Sequence, residues 1–205
     1  LQSFHKALDA GGGHAIFQYV LANHCQEVVN IDHNEENLRG VPFVQQMHRS
    51  GLNITTRVGD LGNIPYPDDY FDRVFCISVL EHIRLGKLAA VNEMVRVLKP
   101  GGILLLSTDI CADKDYQPKP DEEVISQREA SELLAMLGLT AQQDSRGLVV
   151  GEVEGRPTLV LLIKYVKPIK EESEMISLKF NPTDKIIELG GGSAPLVRPN
   201  VDVRM

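Results

Sequence analysis

The first apolar run of the chain, Lys6-Ala7-Leu8, ends in Asp9-Ala10 and then in a triple glycine, Gly11-Gly12-Gly13. Glycine carries no Cβ, so such a run turns the chain sharply and lets backbone N–H groups close on a ligand. Asp32 stands about 20 residues further on, where a carboxylate after a glycine turn can take both hydroxyls of a ribose; His33 stands beside it. Gly59-Asp60-Leu61 adds a carboxylate suited to an adenine amino group and an apolar side chain for the ring. The set reads as a nucleoside site. A nicotinamide or flavin dinucleotide would require a third glycine at position 16, where Ile16 stands and where a side chain would obstruct helix packing. A nucleoside triphosphate would require Gly-x-x-x-x-Gly-Lys-Ser/Thr, and no such run occurs. An adenosine ligand without phosphate fits best.

These residues must be carried by strands that end at the same edge. Short apolar runs alternate with longer segments of helical pattern, which predicts a parallel sheet covered by helices. Strands are expected at about Lys6–Ala10, Glu27–Asp32, Asn53–Val58, Arg73–Ser78 and Ile103–Thr108. Helices are expected at about His14–His24, Glu35–Ser50, Lys87–Leu98 and Gln127–Leu137. Asn34 before Glu35 and Glu36 has the character of an N-cap, and Gly51 and Gly138 stand where C-caps belong. Lys99-Pro100-Gly101-Gly102 is expected to break the preceding helix and turn into the next strand. Thr140–Asp144 and Thr158–Val166, with Gly147, Gly151 and Gly155 between them, predict an antiparallel hairpin at the sheet edge. The expected fold is therefore a doubly wound, Rossmann-like α/β domain with a seven-strand, mostly parallel sheet.

Composition narrows the setting. Lys and Arg number 21 against 28 Asp and Glu, a net charge of −7 with no long basic run, which disfavours nucleic acid as a partner. Cys25, Cys76 and Cys111 are odd in number and widely spaced, which predicts a reducing, cytoplasmic setting. No apolar run approaches the length of a membrane span. His5, His14, His24, His33 and His48 form no ligand cluster in sequence, so no metal is assigned.

Four motifs in order resemble the class I S-adenosylmethionine-dependent methyltransferases, and among them the small type 11 group related to ubiquinone-biosynthesis enzymes. They are Leu8-Asp9-Ala10-Gly11-Gly12-Gly13-His14-Ala15, the run Gly59 to Asp72, Val79-Leu80-Glu81-His82, and Arg96-Val97-Leu98-Lys99-Pro100-Gly101-Gly102. The resemblance covers about 4–166. It departs from the family pattern at Ala15, where a glycine is usual, and in lacking the N-terminal helix that closes over the cofactor. It implies that the Asp9–Gly13 turn holds the methionine moiety, Asp32 the ribose, and Asp60 with Leu61 the adenine, while backbone around Ile77 and Ser78 lines the methionine side. It implies transfer of a methyl group to a small-molecule acceptor with S-adenosylhomocysteine as product. A non-catalytic cofactor-binding or scaffold domain of the same fold is the alternative.

A sulfonium methyl is already electrophilic, so orientation and exclusion of water are the main demands on the protein. Where the acceptor must lose a proton, Glu81 and His82 are the candidate bases, imidazole being the side chain that ionises nearest neutrality. A structural role at a helix start is the competing reading of His82. Asp109, Asp113, Asp115 and Tyr116 follow the fifth strand, as acceptor contacts or as a solvated acidic loop.

The glycine signature recurs late, as Lys185-Ile186-Ile187-Glu188-Leu189-Gly190-Gly191-Gly192. Pro195 and Pro199 leave no room there for the usual helix. The expected organisation is a methyltransferase-like domain over 1–167, a charged linker over 168–174, and a tail over 175–205 resembling the truncated start of a second such domain. The tail could instead dock on its own or a neighbouring subunit. The start at Leu1 suggests that an upstream piece is missing.

Overall fold

Ala7 to Ala10 and Val28 to Asp32 are buried without interruption in the computed structural model, as befits parallel strands covered on both faces. The structure describes residues 4–14, 16–39, 51–113, 115, 124–139, 149–153 and 156–169, of which 37, 39 and 149–157 by backbone alone. Contacts group Leu1–Lys167 as one unit and Pro168–Met205 as another. The expected linker, beyond its first two residues, and the tail with its second glycine signature lie outside the described residues.

In chain order the elements are β1 (Phe4–Ala10), α1 (Phe17–Ala22), β2 (Cys25–Asp32), α2 (Glu35–Arg39), β3 (Ile54–Val58), β4 (Phe71–Ile77), a single 3-10 turn (Leu80–His82), α3 (Lys87–Val97), β5 (Leu98–Cys111), α4 (Gln127–Met136), β6 (Val149–Val153) and β7 (Arg156–Val166). The strands form one seven-stranded sheet in the order β3-β2-β1-β4-β5-β7-β6. The pairs β1/β2, β1/β4, β2/β3 and β4/β5 are parallel, and β5/β7 and β6/β7 are antiparallel. The doubly wound architecture and its antiparallel edge hairpin are as the sequence predicts.

Alternation along the strands builds two cores. Leu8, Val29 and Val74 join Ala90, Val91 and Met94 of α3 and Leu133 of α4 in the larger. Their neighbours Ala7, Val28 and Phe75 face the other way and meet Tyr19 and Leu21 of α1. A helix is held on each face because its apolar residues recur at helical spacing. The start of α4 is set by a capping box, Ser126 accepting from the Glu129 N–H at 3.1 Å while the Glu129 carboxylate accepts from the Ser126 N–H at 2.9 Å. Asn34 accepts from the Glu36 N–H at 2.8 Å, as an N-cap should.

Several boundaries differ from expectation. α1 is shorter than His14–His24 because the glycine turn continues to Ile16, whose carbonyl accepts from the N–H groups of Tyr19 and Val20. Only Glu35–Arg39 of the expected second helix lies within the described residues. Lys99 to Gly102 does not separate α3 from β5 but lies inside β5, where Leu98 pairs with Phe71 and Ile103 with Arg73. The extra residues bulge toward β7, and Gly101 and Gly102 exchange backbone hydrogen bonds with Lys167. Thr140–Asp144 lies outside the described residues, and the strand that pairs with β7 is Val149–Val153. Gly151 is therefore a strand residue at a register shift rather than part of the turn. No helix among the described residues is long and apolar enough to cross a membrane.

Candidate functional site

At the carboxyl ends of β1 and β2 the chain makes the turn that the glycines permit. Gly11 has φ +78°, and a Cβ there would overlap the Val79 side chain. A Cβ on Gly12 would overlap the Asp9 carboxylate. The turn is tied to β2: the Gly11 N–H donates to Ile31 O at 2.7 Å and the Gly13 N–H to Asp32 Oδ2 at 3.1 Å. Two buried amides hold the Gly13 carbonyl. Asn30 Nδ2 donates to it at 2.6 Å and Gln18 Nε2 at 3.0 Å, and Gln18 also reaches Gly12 O at 3.2 Å.

Asp32 is 4% exposed. Its Oδ1 accepts from the Asn34 N–H at 2.9 Å, with His33 Nδ1 at 3.5 Å. Asp9 is 2% exposed and its Oδ2 has no hydrogen-bond partner among the described residues. Burial pushes the Asp9 carboxyl up to about 7, with the charge of Asp32 adding to the shift and a Gln18 hydrogen bond opposing it. Asp60 is exposed, and its Oδ1 accepts from the Gly62 N–H at 2.8 Å.

Gly11, Asp32, His33, Asp60, Leu61 and Ser78 meet on one cavity of about 690 Å³. This is the crevice outside the carboxyl ends of parallel strands where open α/β sheets bind ligands. Ser78 enters its wall in a left-handed conformation, φ +52°, with its N–H held by Ser107 Oγ at 3.1 Å and Ser107 O at 3.0 Å. Asp9, Gly12 and Gly13 belong to the same turn as Gly11 but do not themselves line the cavity. Ile77 is not brought in: strand alternation turns it to the other face of the sheet, 46% exposed and off the cavity wall. Leu61 lines the cavity while being packed in the larger core. Ile16 is 62% exposed, so its side chain does not obstruct helix–sheet packing as expected from the sequence.

The two candidate bases part company. His82 lies on the cavity wall. Glu81 is 4% exposed and off the wall, accepts from the Thr108 hydroxyl at 2.9 Å, and has its pKa raised by burial. It is a buried anchor of the turn after β4. Asp109, Asp113 and Asp115 are also off the wall, the Asp113 carboxylate accepting from the Asp115 N–H at 3.0 Å, and Tyr116 lies outside the described residues. Among the described residues no cluster of three or more His, Cys, Asp or Glu could hold a metal ion.

Sequence reasoning missed the other side of the cavity, from Val79 through Arg84 to Ala90, which also borders a second cavity of about 270 Å³. It missed Gln18 and Asn30 as well, although an Asn inside the apolar run Val28 to Ile31 was a legible signal. A polar side chain in a doubly covered strand must have a partner.

The family described as methyltransferase domains matches residues 8–106. A ubiquinone/menaquinone biosynthesis C-methyltransferase of Bordetella parapertussis is 38% identical over 104 residues, 49% of this chain and 39% of that protein. A demethylmenaquinone methyltransferase of Staphylococcus saprophyticus is 35% identical over 109 residues, 51% of this chain and 45% of that protein. The chain thus spans less than half the length of these curated relatives. Among solved structures, a SAM-dependent methyltransferase from Methanosarcina mazei superposes with a TM-score of 0.57 over 82% of this chain and 95% of that one, at 20% identity, a likeness of fold.

Proposed function

Because the chain belongs to the class I S-adenosylmethionine-dependent methyltransferases, we propose that it binds S-adenosylmethionine in the 690 Å³ cavity and transfers its methyl group to a small-molecule acceptor. The observation that carries the reading is the convergence of Gly11, Asp32 and Asp60 on that one cavity at the carboxyl ends of the strands. The residues suit the cofactor. Asp9 Oδ2 has no hydrogen-bond partner among the described residues and so can accept from a donor, and Gly11 and Gly12, lacking Cβ atoms, let the turn pack directly against the Val79 and Asp9 side chains.

In this reading Asp32 accepts from the ribose hydroxyls, Asp60 from the adenine amine, and Leu61 lies against the ring. The turn from Asp9 to Gly13 holds the methionine portion, with Ser78 on the wall. When bound, the cofactor supplies an electrophilic sulfonium methyl. The protein's part is to hold the acceptor in line and keep water away. His82 is the wall residue able to take a proton from an acceptor that must lose one. The names of the curated relatives, which concern quinone biosynthesis, support a small-molecule acceptor.

Calorimetry with S-adenosylmethionine, S-adenosylhomocysteine and NAD tests the binding step. Heat from both adenosyl ligands and none from NAD is expected; silence from both adenosyl ligands would end the proposal. Incorporation of labelled methyl into small-molecule rather than macromolecular fractions of a cell extract tests the acceptor class.

A further inference from the structure

The stretch from Ile83 to Gly86 leaves the 3-10 turn and enters α3 through Gly86, which takes a left-handed φ of +84° and whose carbonyl accepts from the Ala90 N–H at 2.9 Å. Arg84, Leu85 and Gly86 border both cavities, the one of about 690 Å³ and the one of about 270 Å³. The smaller lies below the size of a whole ligand site, about 300 Å³ and upward. It suits one part of a molecule whose remainder lies in the larger cavity, with Arg84 where the two meet.

Buried Leu80, Ile125 and Leu133 and exposed Leu85 and Leu88 give the small cavity an apolar lining, which takes an apolar body. Its other charges are committed. Lys87 Nζ meets Glu129 Oε1 at 3.2 Å, Glu129 also closes the capping box at Ser126, and Glu132 Oε1 meets Arg128 Nε at 3.0 Å. On the larger cavity, Asp32 and Asp60 accept from backbone N–H groups. Arg84 is exposed and has no ion pair or hydrogen bond among the described residues. Its guanidinium holds five donors in a fixed fork that matches a carboxylate.

We propose that Arg84 selects the methyl acceptor, a small organic acid with a carboxylate for the guanidinium and an apolar body for the 270 Å³ cavity. The inference rests on the S-adenosylmethionine reading and names the class of its acceptor. The charges agree with that reading. Asp32 and Asp60 lie on the part of the larger cavity assigned to the nucleoside, and Arg84 on the part left for the acceptor. An anionic acceptor is drawn to a sulfonium cofactor, whereas a cationic one is repelled.

The test is an amide-resolved NMR titration of the protein saturated with S-adenosylhomocysteine, using three probes of similar shape and different charge: phenylacetate, phenylacetamide and phenethylamine. Phenylacetate should shift the Leu85, Gly86 and Leu133 amides and bind about tenfold more tightly than phenylacetamide, the margin of one charge-assisted pair. Phenethylamine should bind most weakly. Arg84→Gln should erase the margin, and Arg84→Glu should reverse the order of acid and amine. Both variants change an exposed side chain, and the dispersion of their amide spectra establishes that they are folded. Equal affinities in the wild type, silence from all three probes, or a margin that survives in Arg84→Gln overturns the inference. Should S-adenosylhomocysteine itself shift no amide near Gly11 and Asp60, the cofactor reading falls instead, and the same titration without it still reads the preference for the anion.

Discussion

Asp32 serves two structures at once. Its oxygens accept from the N–H groups of Gly13 and Asn34, which fixes the glycine turn and the entry to α2, and the same carboxylate borders the cavity. A buried carboxylate held by backbone donors is preorganised, so under the proposed function the ribose would meet an acceptor that needs no reorganisation. Asp32→Ala should weaken S-adenosylhomocysteine binding by about 100-fold, the loss of two charge-assisted hydrogen bonds of about 1.5 kcal/mol each. Titration calorimetry measures it, with circular dichroism to establish that the variant is folded. Unchanged affinity would remove the ribose assignment.

At the scale of elements, the site depends on side chains that join distant segments. Arg96 on α3 donates to the Ile64 and Tyr66 carbonyls and to Glu93 and Asp68, and Glu93 in turn accepts from the Ile64 N–H. This fork ties the loop carrying Asp60 and Leu61 to a helix. Lys167, just past β7, closes the far end of α3: its Nζ reaches the carbonyls of Val95, Arg96 and Leu98 at 2.8, 3.2 and 2.6 Å and Asp69 Oδ1 at 2.7 Å. A cation on the last carbonyls of a helix satisfies groups that have no intrahelical partner and complements the helix dipole. Lys167→Met keeps the stem but removes the charge, and should cost about 3 kcal/mol of stability. A lower urea midpoint at unchanged m-value is the expected result. An unchanged midpoint would mean that water replaces the ammonium at no cost.

For the molecule as a whole, Asp9 opposes stability at neutral pH. An acid whose pKa rises on folding from 3.8 to about 7 keeps its proton in the native state where the unfolded chain has lost it. Its contribution is therefore full below pH 4 and is lost as pH rises to 7, about 4 kcal/mol in all as an order of magnitude. Asp72, Glu93 and Glu129, with lowered pKa values, act in the opposite sense in the wild type and in an Asp9 variant alike. Asp9→Asn should thus gain on the wild type between pH 5 and pH 8, read as the difference in urea unfolding free energy, and a difference flat with pH would contradict it. Much of this architecture was legible beforehand. Apolar runs of strand length, Asn34 before two glutamates, and the order Asp9, triple glycine, Asp32, Asp60 are local patterns, and local patterns determine element type, turn position and the sheet edge to which a strand end belongs. Pattern along the chain was thus enough for the α/β class, for the strand ends that border the cavity, and for the resemblance to a methyltransferase. The face each side chain takes came from the packing of the fold. It turned Ile77 away and Ser78 in, buried Glu81 while leaving His82 on the wall, aimed Gln18 and Asn30 at one carbonyl, and left Asp9 and Asn30 each with one oxygen that meets no donor among the described residues. Those outcomes depend on packing between segments tens of residues apart, and no spacing along the chain encodes which neighbour a side chain will meet.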